Sequence, residues 1–272
     1  MLSPRGESFE VVGRAGPVEV RGAPPIPAEA REELLVLKDG ELFLCARVDG
    51  DVAPARVSGE GFYASDTRYL SEIRLKVGGA RPVALSHTAF GDRAVLDATN
   101  ATLGRGSDSR VPQLSLSITR ELTIAAGRLY HLVRVRNFLR KPVTTVVSLA
   151  LAADYADMFE VRGFPRRDAR GHALAPKQTE RGLTLAYVGE DEVFRETVVE
   201  LDPIPDQLDL AADRALARWR VTLEPGVPVA ILMSAEPSIG GRRRPRRRPA
   251  TATGELREAE ARWRSRCTTI TS

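Results

Sequence analysis

Cysteine is nearly absent. Of 272 residues only Cys45 and Cys267 carry a thiol. They stand far apart and make no metal-ligand spacing, which argues against a disulfide scaffold or a zinc ribbon. We read them as a small core residue and a tail thiol. Histidine is as scarce: His87, His131 and His172 lie apart, without the Cys or carboxylate clusters that a zinc site needs. Aromatic residues make up 6% of the chain, few for a sugar-stacking platform or for interleaved base stacking. No apolar run reaches membrane-spanning length, and the first sixteen residues, MLSPRGESFEVVGRAG, contain no apolar signal-peptide core. No membrane partner is therefore expected, and a cytoplasmic location follows by default. There is no serine-centred nucleophile elbow. GRGSDSR and GGRRRP lack the lysine and the strand–helix context of a phosphate loop. No cofactor and no metal are expected.

What is present is a chain able to form a sizeable core. Its hydrophobic share is 43% and its charged share 28%, ordinary for a globular protein. The net charge of +4 is local: Arg242–Arg244 and Arg246–Arg248 supply six of the 40 basic residues, and the remaining 34 face 36 acids. Six arginines in seven positions suit phosphate binding, yet no aromatic residues interleave with them, and a solvated, proline-stiffened linker is the simpler reading.

The pattern along the chain divides it into four parts. Residues 1–32, rich in Gly and Pro, read as a flexible lead-in. Residues 33–238 carry strand-length runs bounded by Gly, Pro and acidic turns. ELLVLKDGELFLCARVDG is two apolar runs about Lys38-Asp39-Gly40, with Asp39-Gly40 suited to a tight hairpin whose central residues both take positive φ. YLSEIRLKVGG alternates, imperfectly, through Leu70, Ile73, Leu75 and Val77. QLSLSITRELTI sets Leu114, Leu116 and Ile118 on one face. PVTTVVSLALA is nearly all apolar, as in a strand covered on both faces. RWRVTLEPG points Trp219, Val221 and Leu223 one way. Serial strands without intervening helices predict an all-β, two-sheet antiparallel β-sandwich. Residues 239–254 form an Arg/Pro-rich linker, and 255–272 read as the start of a linker helix.

Two segments raise a question of chemistry. DYADMFEVRG spaces Asp154, Asp157 and Glu160 three apart, with Phe159 and Arg162 among them. SDTRYL holds Asp66 and Arg68. A glycosidase needs two carboxyls facing each other across a bond, about 5–5.5 Å apart for retention and about 6.5–9.5 Å for inversion. Acids three apart on a helix stand side by side, and the sequence names no opposing partner. A metal site needs convergent ligands, which D-x-x-D-x-x-E alone does not supply. For Asp66 and Arg68 the choice lies between an ion pair, substrate contact, and a turn in which Asp66 accepts backbone N–H bonds.

Taken with LVLKDGELFLCARVDGDV, the segments GFYASDTRYLSEIRLKVGG (Gly61, Phe62, Asp66, Thr67, Arg68 and Leu70) and ADYADMFEVRGFPRRDARG resemble the N-terminal domain of bacterial glycogen debranching enzyme-like proteins, related to amylo-α-1,6-glucosidases. The resemblance runs in order from about Glu33 to Ala235. It implies a supersandwich-like accessory domain that packs on a helical toroid and helps to shape its glucan cleft. It also implies that the toroid, not this domain, carries the catalytic carboxylates. The partners so implied are that toroid, which this sequence does not contain, and an α-glucan. The chain by itself is expected not to hydrolyse glucan.

On this view Asp66, Arg68, Asp154, Asp157, Phe159, Glu160 and Arg162 form a cleft-facing or docking segment. Tyr155, Met158 and Phe159 are expected to anchor it, with Phe159 buried, and the acids to pair with Arg162, Arg166 or Arg167. Two other readings stay open: a stand-alone carbohydrate-binding module, and a nucleic-acid-associated protein acting through the arginine run.

Overall fold

The computed structural model describes residues 33–53, 59–104, 110–163, 171–212 and 214–241. The lead-in, the Arg/Pro-rich run, the expected linker helix, Arg166, Arg167 and Cys267 lie outside the described residues. The first strands are β1 (Leu34–Asp39), β2 (Leu42–Arg47), β3 (Gly61–Ala64), β4 (Thr67–Leu70) and β5 (Glu72–Val77). There follow β6 (Val83–Phe90), β7 (Arg93–Thr99), β8 (Leu116–Ala125), β9 (Arg128–Asn137) and β10 (Val143–Ala152). A one-turn helix, α1 (Met158–Val161), precedes β11 (His172–Thr179), β12 (Gly182–Val188) and β13 (Phe194–Asp202). The last are β14 (Gln207–Leu210), β15 (Arg214–Leu223) and β16 (Val229–Ile239).

The regular structure of the described residues is nearly all strand, as the alternation predicts, and every strand–strand ladder is antiparallel. One layer is an eight-stranded sheet in the order β11-β12-β13-β16-β9-β8-β7-β6. Two four-stranded sheets, β1-β2-β3-β4 and β14-β15-β10-β5, pack against it. They are continuous with each other. β5 pairs with β10, and just upstream β4 lies beside the segment leaving β10, through Ser71 N–H to Ala152 O and Arg68 N–H to Ala156 O. One hydrophobic core joins all three sheets, from Leu37 and Phe62 through Leu75 and Leu149 to Leu122 and Met233. Burial of such apolar faces, at ~25 cal/mol per Å², is the main force holding the layers together.

Local departures from the expected pattern have local causes. The first hairpin turns at Gly40-Glu41, one residue later than Asp39-Gly40, and of that pair Gly40 alone has positive φ (61°). The imperfect alternation around Leu70–Ile73 marks the point where the chain passes from β4 in one sheet to β5 in another. Leu70, Ile73, Leu75 and Val77 are all buried. Leu114 does not share the face of Leu116 and Ile118: it precedes β8 at φ 64° and is exposed. β10 is covered on one face over its first half, where Val143, Thr145 and Val147 are buried while Thr144 and Val146 are exposed. Its continuous apolar run therefore does not mean burial on both sides. Cys45 is half-exposed on β2 and outside the core; burial, then the nearby Glu60 charge, raises its pKa. No helix among the described residues is long and apolar enough to cross a membrane.

Candidate functional site

The two segments singled out in the sequence meet. Ser65 and Asp66 are the two loop residues between Ala64 and Thr67, both at positive φ (44° and 63°), which turns the β3–β4 hairpin tightly. The segment after β10 then runs beside this hairpin. Thr67 bridges to Asp157, and Met158 N–H donates to Asp66 O at 3.1 Å.

Arg68 locks the two together. Its Nε and Nη2 donate to the two oxygens of Asp154 at 3.0 and 2.5 Å, across 86 positions of sequence, and its Nη1 donates to Glu60 O at 3.1 Å. Burial works against the Arg68 charge, but the bonds to Asp154 outweigh it, and the pKa is raised. Gly61 makes room for this arginine. A Cβ there would come within 2.4 Å of Arg68 Cδ and 2.8 Å of the Tyr63 ring. Tyr63 stacks on Phe43 with ring centroids 4.5 Å apart, and burial pushes its phenol up to about 12.

The acids divide their work. Asp157 is the N-cap of α1: its Oδ1 accepts from Phe159 N–H and Glu160 N–H, both at 2.8 Å. Glu160 completes the capping box by accepting from Asp157 N–H at 3.2 Å. Asp154 holds Arg68. The three acids thus do not line one helix face, because Asp154 and Asp157 precede the helix.

Three expectations are corrected here and one open choice is narrowed. Asp66 does not pair with Arg68 and accepts through its backbone carbonyl; its carboxylate stands exposed in the turn. Phe159 is not buried but 67% exposed, because a one-turn helix points it away from the core. Arg162 is exposed, and its side chain has no carboxylate partner among the described residues; Arg68 takes the bidentate role expected of it. Val161 of α1 is buried and Met158 half-buried, but the main anchor is Tyr155. Its ring is buried at φ 50°, edge-on to Tyr69 and stacked on Tyr187, and its hydroxyl donates to Leu185 O at 2.8 Å with Thr197 Oγ1 at 3.1 Å. Burial raises the Tyr155 phenol above its ordinary range.

Beside this unit opens a cleft of about 210 Å³ lined by Thr67, Tyr155, Asp157, Tyr187 and Arg195 and by the turn residues Gly189–Asp191. Asp191 accepts from Arg195 through both oxygens, at 3.0 and 2.8 Å, and from Val193 N–H at 3.1 Å. The Arg195 bond holds the Asp191 carboxyl down at about 2. The cleft therefore gathers Thr67, two aspartates and an arginine beside two tyrosines, a set suited to hydrogen-bonding a polyhydroxylated ligand. Sequence reasoning missed Tyr187, Asp191 and Arg195. The D-x-x-x-R spacing of Asp191 and Arg195 was the one available signal, and nothing in it tied the β12–β13 turn to a segment thirty residues away. Among the described residues no group of three His, Cys, Asp or Glu gathers as for a metal ion.

The family model for the N-terminal domain of (some) glycogen debranching enzymes matches residues 37–233. The chain belongs to this family. The matched interval contains the Arg68–Asp154 unit, the cleft and most of both sheet layers. No curated protein matches the chain. Among solved structures, the chain is similar to a kojibiose phosphorylase-like protein from the human microbiome (10% identity, 69% of this chain and 25% of that one, TM-score 0.44). It is also similar to the Slr1438 protein of Synechocystis sp. PCC 6803 (11%, 81% and 99%, 0.45) and to a galactose mutarotase-like protein of Lactobacillus casei ATCC 334 (7%, 75% and 100%, 0.41). The chain spans a quarter of the length of the kojibiose phosphorylase-like protein.

Proposed function

We propose that this debranching-enzyme N-terminal domain is an accessory module, which packs on a helical catalytic toroid through α1 and the β3–β4 turn and shapes the glucan cleft there. One observation carries this reading. The acids that most resemble a catalytic set are already committed to structure, Asp154 to Arg68 and Asp157 and Glu160 to the cap of α1, while the helix they cap carries Phe159, 67% exposed. We take this exposed aromatic, beside the β3–β4 turn, as the contact residue for the toroid surface. Asp66, exposed at the tip of the adjacent turn, supplies charge at its rim.

The test is reconstitution with a debranching-type toroid domain added in trans. The domain should co-elute with the toroid and raise its turnover on glycogen, and Phe159→Ala with Asp66→Lys should weaken both while leaving thermal stability unchanged. The domain alone should release no glucose from glycogen, panose or isomaltose. Glucose release by the domain that vanishes in a folded Asp157→Asn variant would overturn the accessory reading.

The cleft between Thr67 and Arg195 favours a second, compatible role as a glucan contact. Maltooligosaccharide-induced NMR shifts confined to Tyr155, Tyr187 and Asp191 would support it, and a flat titration would remove it.

A further inference from the structure

The eight-stranded sheet has two edges, and they are built differently. At one edge β11 carries Pro176, which has no N–H to donate, the charged Lys177, and a register shift between Leu174 and Lys177. These are the devices that stop a sheet edge from pairing with another chain. At the other edge β6 has the sequence VALSHTAF, without Lys, Arg, Asp, Glu or Pro, and all eight residues are exposed. Val83, Leu85 and Phe90 are 47%, 62% and 57% exposed. Its one irregularity is the extra residue Leu85, between Ala84 and Ser86.

We propose that β6 is a dimerisation edge, which pairs antiparallel with β6 of a second copy of this chain to continue the sheet across a two-fold axis. The occupant follows from the edge itself. A symmetric pairing sets a strand against its own reverse, so a charge at or near its centre would meet its own copy; β6 carries no Lys, Arg, Asp or Glu. A head-to-tail pairing of β6 with β11 would build a filament, and the blocked β11 edge prevents it. A closed two-fold dimer is what remains.

The backbone limits the register. Phe90 and Arg93 close a two-residue hairpin, and in such a hairpin the closing pair exchanges both of its backbone bonds. Alternation then turns the N–H and C=O groups of Phe90 and Thr88 toward β7, and those of Ala89 and His87 toward solvent. Among the two-fold registers these outward groups allow, we take the one that sets His87 opposite His87 of the second copy and Ala89 opposite its Leu85. The β6 edge lies at the far end of the strand order from β12 and β13, which line the cleft, so dimerisation leaves the proposed docking face free.

Light scattering on the eluting full chain tests this. At micromolar concentration the wild type should show twice the 29.7 kDa chain mass. His87→Lys and His87→Glu each set like charges against each other and should raise the dimer Kd roughly tenfold. An equimolar mixture of the two should restore the dimer, which a merely misfolded variant would not do. Gln178→Lys, on the β11 edge, should leave the dimer intact. A wild-type mass of one chain, a dimer unaffected by His87→Lys, failure of the mixture to reassociate, or dissociation by Gln178→Lys would each overturn the proposal.

Discussion

At the scale of the residue, the unit that defines this domain rests on space as much as on charge. Arg68 reaches Asp154 only because Gly61, at φ 155°, has no Cβ in the path of its side chain. Gly61→Ala should therefore destabilise by about 2–4 kcal/mol, combining backbone strain and a clash that Arg68 cannot avoid without losing its bonds. Arg68→Met should cost about 2 kcal/mol, less than the ~3–5 of a fully buried pair, because the Asp154 side chain left behind is 38% exposed. Urea unfolding of both variants measures these values; equal stability of Gly61→Ala and wild type would show that Arg68 has another route. The sequence showed Gly61, Arg68 and Asp154 as notable residues but not as partners. A single chain carries no signal for a pair 86 positions apart, whereas a turn such as Ser65-Asp66 is written in adjacent residues. The choice between Tyr155 and Phe159 as anchor was unreadable for the same reason: both are large aromatics in one loop, and burial is decided by what surrounds them. Tyr155→Phe should lose about 1–2 kcal/mol through the hydroxyl bonds to Leu185 and Thr197, and Phe159→Ala at most about 0.5. Thermal melts of the two, side by side, check that order.

At the scale of the element, α1 and the β12–β13 turn each depend on one carboxylate. A helix of one turn cannot hold itself by internal hydrogen bonds, so α1 depends on its cap. Asp157→Ala should cost about 1 kcal/mol, whereas Glu160→Gln keeps an acceptor for the Asp157 N–H and should cost less. In the turn, Asp191 titrates at about 2 because Arg195 binds its charged form. With the folded pKa below the ordinary carboxylate value, the pair's contribution is fully present above about pH 4 and is lost as pH falls through about 2. Since the Asp191 side chain is half-exposed, that contribution is small. A carboxyl NMR titration should find Asp191 largely ionised at pH 3 (an unperturbed Asp is only half-ionised near pH 4) and should find its midpoint shifted up in Arg195→Gln. The strands themselves were the most legible elements, since period-two alternation survives wherever one face is buried. It misled at Leu114 and along β10, where a residue just outside a strand, or an exposed valine within one, carries the same letters as a core position.

At the scale of the whole molecule, the layers are joined by more than apolar contact. Arg120, on β8 of the eight-stranded sheet, is 1% exposed and reaches the loop after β2. There it donates to Asp49 O at 2.6 Å, Gly50 O at 2.8 Å and Asp51 Oδ1 at 2.7 Å, while its Nε donates to His131 Nε2 at 3.1 Å. Asp51 in turn accepts from Leu75 N–H of β5 at 3.1 Å, so one guanidinium ties the large sheet to both smaller ones. Arg120→Met should therefore be among the most damaging single changes, at about 3–5 kcal/mol, because it strands the buried Asp51 charge. His131 gives this clamp a pH dependence. It is fully buried, and burial, then the Arg120 charge, holds its pKa well below 6.5. The folded state keeps the ring neutral as the unfolded state takes up a proton, so stability falls as pH drops below about 6.5, by up to ~1.4 kcal/mol per unit, until the folded value is reached. His131→Gln keeps an acceptor for Arg120 without a titrating ring. Urea midpoints between pH 7.5 and 5 should decline more steeply for wild type than for His131→Gln, since acidic groups contribute equally to both. Parallel declines would show that the ring is protonated in the folded protein, and that Arg120 does not hold the layers through a neutral histidine.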